Sequence, residues 1–314
     1  MKPPNYRSSR RAFLAALASA SVRANAAPVR PPGLIIDTHI HLFASGSDKF
    51  PFAQNAPYQP EPAPLEAYLQ FIRESKIDHV ILVHPEPYQE DHSYLEYCFR
   101  HESPKGLFKG TCLFDPLSPE TPARMEALVS RNPGRIVALR IHEVGEPGSP
   151  PSHSGSITNR DMRDPAMDRT WNKAHELGLA IQMHFLPYYA QQIGELARKH
   201  EQTPVILDHV ARAGLGTPGQ FEQVLALAKL PHAYMKISGI NYSSREKAPF
   251  RDVRPFVMRA YQAFGPDRLL WGDLGHTVGE FETAVRIFDT MFEGVPEPDK
   301  AKIRGLNAKR LFRF

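Results

Sequence analysis

The stretch GLIIDTHIHLF, Gly33 to Phe43, decides how the chain is read. Leu34, Ile35 and Ile36 are apolar and largely β-branched, the pattern of a buried strand, and polar residues then follow at Asp37, His39 and His41. Side chains alternate faces along a strand. Alternation therefore predicts Asp37, His39 and His41 on one face and Thr38 and Ile40 on the other. Burying two imidazoles without partners is costly, so that face must supply hydrogen bonds or a metal ion.

Runs of the same kind recur along the chain at residues 79–85, 107–114, 136–144, 179–186, 204–211, 233–239 and 268–276. Between them lie stretches with apolar residues at three- and four-residue spacing, such as PLEAYLQFIRES, PARMEALVSRN, MDRTWNKAHELG and AVRIFDTMF. Eight strands interleaved with helices predict an α/β fold, a single (β/α)8 barrel over residues 33–314. A doubly wound open sheet is the alternative. No G-x-G-x-x-G or G-x-x-x-x-G-K-S/T follows the first strand, which counts against it. Two connections are long, residues 43–64 and residues 145–163. Both follow strands, on the face where barrels place their sites, and read as lids or binding loops.

Composition narrows the function classes. The chain has 314 residues, 42% hydrophobic, with a formal charge of +4, and part of that charge lies in Lys2, Arg7, Arg10, Arg11, Arg23 and Arg30. No basic block is dense enough for a nucleic-acid footprint. Cys98 and Cys112 make neither a disulfide scaffold nor a four-thiolate zinc site, and they read as small buried hydrophobes. In SSRRAFLAALASASVRANAA, Arg10 and Arg11 precede Phe13, Leu14 and a short apolar run, with a small-residue cleavage site at Ala24-Asn25-Ala26. Residues 1–26 read as a signal peptide resembling the twin-arginine type, so a periplasmic or secreted protein is expected. No later stretch is long and apolar enough for a membrane span.

Polar residues recur at the other strand ends. His184 closes the fifth strand, Asp208 and His209 the sixth, and Asp273 the eighth. Imidazoles and carboxylates converging from separate strands are how a barrel assembles a divalent-metal or acid–base site. Arg140 shares the parity of Ala138 and His142, so it points inward. It is read as a clamp on a substrate carboxylate, which its fork suits; an ion pair with Glu143 or Asp208 is the structural alternative. His84 and His142 end strands two and four, either lining the pocket or as plain hydrogen-bonded histidines. Lys236 shares parity with Ser238, but alternation does not say which face they occupy. Tyr188, Tyr189 and Tyr242 read as packing or rim residues.

DTHIH, His184, LDH (207–209), RLLWGD (268–273) and GLNAKRLF (305–312) together resemble the amidohydrolase-related barrel hydrolases and decarboxylases. The resemblance implies one divalent ion, zinc or manganese, held by His39, His41, His184 and Asp273. It implies His209 as a base or substrate contact, and Asp273 as the group that takes the proton of the attacking water. No lysine ends strand four, so a two-metal site on a carboxylated lysine is not expected. WGDLGH is one residue shorter than the family's Trp-Gly-Ser-Asp-Trp-Pro-His and places His276 at its final position. ALRIHE and DHVAR are similar to the 2-pyrone-4,6-dicarboxylate lactonase branch, which implies carboxylate-binding arginines at Arg140 and Arg212 and metal-free operation as an option. The expected activity is hydrolysis of a small carboxylate-bearing lactone, ester or amide, with His84 as a further substrate contact. The alternatives are a metal-dependent decarboxylase of the aminocarboxymuconate-semialdehyde type and a periplasmic binding protein on a degenerate barrel.

Overall fold

The computed structural model of the chain describes residues 30–44, 49–145 and 161–314. The signal-peptide reading of residues 1–26, and most of the long connection after the fourth strand, lie outside the described residues.

Eight parallel strands form one sheet in sequential order: β1 (Ile36–Ile40), β2 (His79–Val83), β3 (Phe108–Leu113), β4 (Ile136–Glu143), β5 (Ala180–Phe185), β6 (Val205–Leu207), β7 (Ala233–Ile237) and β8 (Leu269–Trp271). Each is followed by a helix: α1 (Leu65–Ser75), α2 (Ser93–His101), α3 (Thr121–Arg131), α4 (Ala166–Glu176), α5 (Ala190–Lys199), α6 (Pro218–Ala226), α7 (Arg254–Phe264) and α8 (Val278–Met291). This is the expected (β/α)8 barrel, and sequential neighbour order excludes the doubly wound sheet, whose strand order reverses. Two further helices, α9 (Glu297–Ala301) and α10 (Asn307–Phe312), follow. No helix of the described residues is long and apolar enough to cross a membrane.

Alternation divides the strand residues between two cores. Ile35, Val80, Leu82, Leu139, Ile141, Met183 and Met235 face the helices, whereas Ile36, Ile81, Val83, Ala138, Ala180, Ile206 and Leu270 fill the barrel floor with Ala308 and Phe312 of α10. The floor is therefore dry, and polar side chains occupy only the upper interior.

The first strand breaks its own alternation. Asp37 is in register with Val80 and Ile40 with Leu82, so Thr38 and His39 together oppose the single residue Ile81. This is a β-bulge, and it reverses the parity on one side of itself. His39 and His41 face the interior as expected. Asp37 does not share their face: it aligns with the outer residue Val80, on the side of Tyr68 in α1. Its Oδ1 accepts the N–H groups of His39 (2.9 Å) and Asp273 (3.0 Å), and its Oδ2 accepts that of Leu274 (3.2 Å).

Those bonds stitch the seam where β8 meets β1. The Thr38 hydroxyl donates to the Trp271 carbonyl at 2.7 Å, and Asp273 N–H reaches the His39 carbonyl at 3.0 Å. Gly272 makes the approach possible. A Cβ there would lie 2.8 Å from the His39 nitrogen and 2.9 Å from Thr38 Oγ1, closer than such contacts allow.

Candidate active site

The C-terminal strand ends gather five imidazoles into an arc. Successive ring centroids lie 5.1 Å apart from His41 to His39, 4.5 Å from His39 to His209, 5.1 Å from His209 to His184, and 4.9 Å from His184 to His142. Burial pushes all five down: His41 to about 4, His142 and His209 to about 3, and His39 and His184 well below the ordinary histidine value. At neutral pH the arc is uncharged, so each ring offers one N–H and one lone pair.

Beneath the arc lies a charged layer. Asp208 Oδ2 accepts from Gln182 Nε2 at 2.9 Å and lies 3.4 Å from Arg140 Nε; its Oδ1 lies 3.6 Å from Lys236 Nζ and 3.7 Å from His39 Nδ1. Burial alone would raise its carboxyl, but Lys236 and His39 hold it well below the usual range. Lys236 is inward and fully buried, donating to the Thr38 carbonyl (2.7 Å) and Gln182 Oε1 (2.9 Å); burial lowers its pKa to about 8.

Arg140 spends its fork inside the protein. Nη1 lies 3.4 Å from Glu86 Oε1, Nε 3.4 Å from Asp208, and Nη2 donates to His184 Nδ1 at 3.1 Å. The ion pair with Asp208 named as the structural alternative is present, and Glu86 supplies a second carboxylate. A substrate carboxylate at Arg140 would share the fork with both. The bond to His184 has a chemical consequence. A guanidinium only donates, so Nδ1 accepts and neutral His184 carries its proton on Nε2. That Nε2–H is buried and finds no hydrogen-bond partner among the described residues.

His41 donates from Nδ1 to the Val83 carbonyl at 2.7 Å, and His276 Nε2 donates to the His41 carbonyl at 2.8 Å. His84 instead braces the β2 loop, donating from Nε2 to the Gln89 carbonyl at 2.9 Å and stacking on His92 at 4.2 Å.

His209 and Arg212 reach the mouth through an unusual turn. His209, Val210, Ala211 and Arg212 all have φ between 51° and 57°, a left-handed turn made without glycine. Such backbone costs roughly 1–2 kcal/mol per residue and concentrates at functional sites. The turn leans on the loop after β7: His209 Nδ1 pairs with Ser238 Oγ at 3.0 Å, its ring meets Tyr242 edge-on at 5.1 Å, and the Arg212 guanidinium lies 4.6 Å above the Tyr242 ring.

Asp273 lies two residues beyond β8 with φ 69°. Its Oδ2 accepts from Gly239 N–H at 3.2 Å, and Gly239 also abuts His209, since a Cβ there would come 2.5 Å from His209 Nδ1. The carboxylate and the imidazole thus flank one glycine. Asp273 is exposed at the edge of an adjoining cavity, and the protein packed around it raises its pKa above the ordinary value.

Two groups of described residues bring three ligand atoms within 4.8 Å of one another: His39 with Asp208 and His209, and Glu86 with His142 and His184. Neither is the quartet of His39, His41, His184 and Asp273. His39 Nδ1 and His142 Nε2 are buried without hydrogen-bond partners among the described residues, as atoms awaiting an ion would be, whereas His184 Nε2 carries its proton while Arg140 donates to Nδ1. Cations already stand beside both carboxylates, Lys236 and Arg140 at Asp208 and Arg140 at Glu86.

Sequence reasoning missed Glu86, left the face of Lys236 open, and read Tyr242 as a packing or rim residue. Glu86 lies past the end of β2, where alternation says nothing, and its Oε2 accepts the Tyr58 hydroxyl (2.7 Å) from the long loop after β1. Burial would raise the Glu86 carboxyl; Arg140 and His142 instead carry it far below the usual range.

This geometry is that of a barrel hydrolase of the amidohydrolase type. Residues 36–314 match the amidohydrolase family Amidohydro_2, to which the chain belongs. It is 30% identical over 259 residues to 4-sulfomuconolactone hydrolase of Rhizobium radiobacter, covering 80% of this chain and 79% of the relative. The hydrolase of the same name from Hydrogenophaga intermedia is 26% identical over 258 residues, covering 78% and 75%. Among solved structures, a probable 2-pyrone-4,6-dicarboxylic acid hydrolase of Acinetobacter baumannii, with citric acid bound, superimposes with a TM-score of 0.71 at 19% identity, covering 89% of this chain and 99% of that one.

Proposed function

We propose that this chain hydrolyses a lactone that carries a carboxylate. The observation that carries the reading is the buried Nε2–H of His184, fixed by Arg140 and without a hydrogen-bond partner among the described residues. A neutral, oriented N–H suits an oxyanion developing on a carbonyl. The lactonase names of the sequence relatives support the substrate class.

In this reading Arg212, its plane held on Tyr242, takes the substrate carboxylate. His184 and His209 hold the lactone carbonyl oxygen. Asp273 accepts a proton from water as the water oxygen bonds to the carbonyl carbon. The ring C–O bond then breaks, and the same proton passes from Asp273 to the departing alkoxide. A raised pKa makes Asp273 a stronger base than an ordinary carboxylate.

A divalent ion, zinc or manganese, fits the same region. His39 and His209 with Asp208 would hold it, with His41 beside them; the group of His142, His184 and Glu86 would do so only after His184 lost its Nε2 proton. When bound it would polarise the carbonyl and acidify water. The twin arginine at Arg10 and Arg11 supports export to the periplasm or beyond.

Replacing Asp273 by Asn is expected to lower kcat roughly a hundred- to ten-thousandfold on carboxylate-bearing lactones while the fold is kept. Unchanged turnover of every lactone tested would sink the assignment. Release of CO₂ from a β-keto or enal acid would favour the decarboxylase instead. Metal analysis of protein purified without chelator separates the two routes: about one ion per chain for the metal-assisted route, none for the carboxylate-only route.

A further inference from the structure

A cavity of about 310 Å³ opens beside Asp273, between the loops after β7 and β8 and helix α8. That volume is at the lower end of the range for small-molecule sites, roughly 300–1,000 Å³. Its far wall is apolar, built from Ile240, Phe250, Ala284, Ile287, Phe288 and Met291. All are buried except Ile287, which is partly exposed on α8. A space lined this way disfavours ordered water, which needs two to four polar partners, and favours an apolar occupant. The one carboxylate on its outer side, Glu280, is consumed by the start of α8, where it accepts from His276 N–H (2.7 Å) and Thr277 N–H (3.1 Å). Of the other polar lining residues, Thr283 donates its hydroxyl to the Gly279 carbonyl (2.9 Å) and His276 its Nε2–H to the His41 carbonyl (2.8 Å), and Asn241 stands at the rim.

The inner wall belongs to the catalytic groups. Ser238, Gly239 and Asp273 line the cavity. The same Ser238 pairs with His209, and the same Gly239 donates to Asp273. A ring whose carbonyl carbon is attacked by water at Asp273 therefore has this cavity as its neighbour, and Arg212 is not among the cavity's lining residues.

We infer that the cavity is a subsite for an apolar substituent of the substrate, of the size of a phenyl ring or a short branched alkyl group. The substrate is then a lactone with two ends, a carboxylate held at Arg212 and an apolar arm held between Ile240, Phe250 and α8. This rests on the lactonase reading and deepens it, because a small ring bearing carboxylates alone would leave the cavity unfilled.

The test uses the full chain and two probes, a five-membered unsaturated lactone with an acetate arm and the same lactone with a phenyl group on the ring. Wild-type protein is expected to favour the phenyl lactone by about tenfold in kcat/KM, the order that one well-filled apolar pocket supplies. Ile287→Trp, which fills the cavity from α8, is expected to erase that preference while turnover of the unsubstituted lactone stays within about twofold. Ala284→Leu, a smaller filling, serves if the tryptophan variant does not fold. No wild-type preference, or an equal loss on both probes, overturns the inference. If wild type turns over neither lactone, the lactonase reading fails by itself. The cavity is then read by thermal protection with phenylacetate: protection lost on filling retains an apolar-arm subsite, and absence of protection in wild type overturns it.

Discussion

Asp208 is the side chain on which the interior charges depend. It is fully buried and stands within 3.4–3.7 Å of Arg140, Lys236 and His39 while accepting a hydrogen bond from Gln182. Removing one partner of a buried ion pair leaves the other uncompensated, at a cost of about 3–5 kcal/mol. Asp208→Asn is therefore expected to lower unfolding free energy in urea by about that much. Adding Lys236→Met, which removes one stranded cation, is expected to recover part of the loss. A double variant no more stable than the single one would mean that the charges are not coupled. The strand-six aspartate was legible as a candidate because it ends an apolar run. Its role as the hub was not, since its partners come from strands far apart in sequence.

At the level of elements, the turns after β6 and β7 act as one unit. The left-handed turn from His209 to Arg212 contains Val210 and Ala211, residues that give no sequence sign of positive φ. Its conformation is supported from outside, by Ser238 and Tyr242. Gly239 permits that contact, with φ 52° and no side chain between His209 and the Tyr242 ring. Gly239→Ala is expected to cost about 1–3 kcal/mol of stability and to reduce kcat further, because the new methyl must displace His209 or Tyr242. Parallel denaturation and kinetic measurements check this; an unaltered kcat would show that His209 is not held by the glycine. The contrast with β1 is instructive. His39 and His41 were readable because period-two alternation survives at that end of the strand. Asp37 was misplaced because a bulge of one residue leaves no mark in composition, and Glu86 was invisible because it follows Pro85 in a turn.

For the molecule as a whole, the buried imidazoles set how stability responds to acid. His84 is pushed to about 4 and His142 and His209 to about 3, each chiefly by burial, against an unfolded value of 6.5. Below pH 6.5 the unfolded chain binds protons that the folded chain refuses, so stability falls as pH drops from there toward 4. Asp37 opposes this. Its pKa is raised to about 7 by burial, so its contribution is present in acid and is lost as pH rises through 7. The histidines outnumber it, and the expected result is a melting temperature that declines between pH 6.5 and 4. A flat profile across that window would mean that the rings are protonated in the fold. The seam between β8 and β1 joins the barrel's closure to the site. Asp37, Thr38 and Gly272 close the barrel there, and Asp273 hangs from the same join through its own N–H. The carboxylate proposed as the base is thus mounted on the ring's clasp, so any loosening of the clasp would mis-aim it while the other strands still held their shape. A survey of inactive variants would accordingly gather at Thr38 and Gly272, two positions with no chemistry of their own.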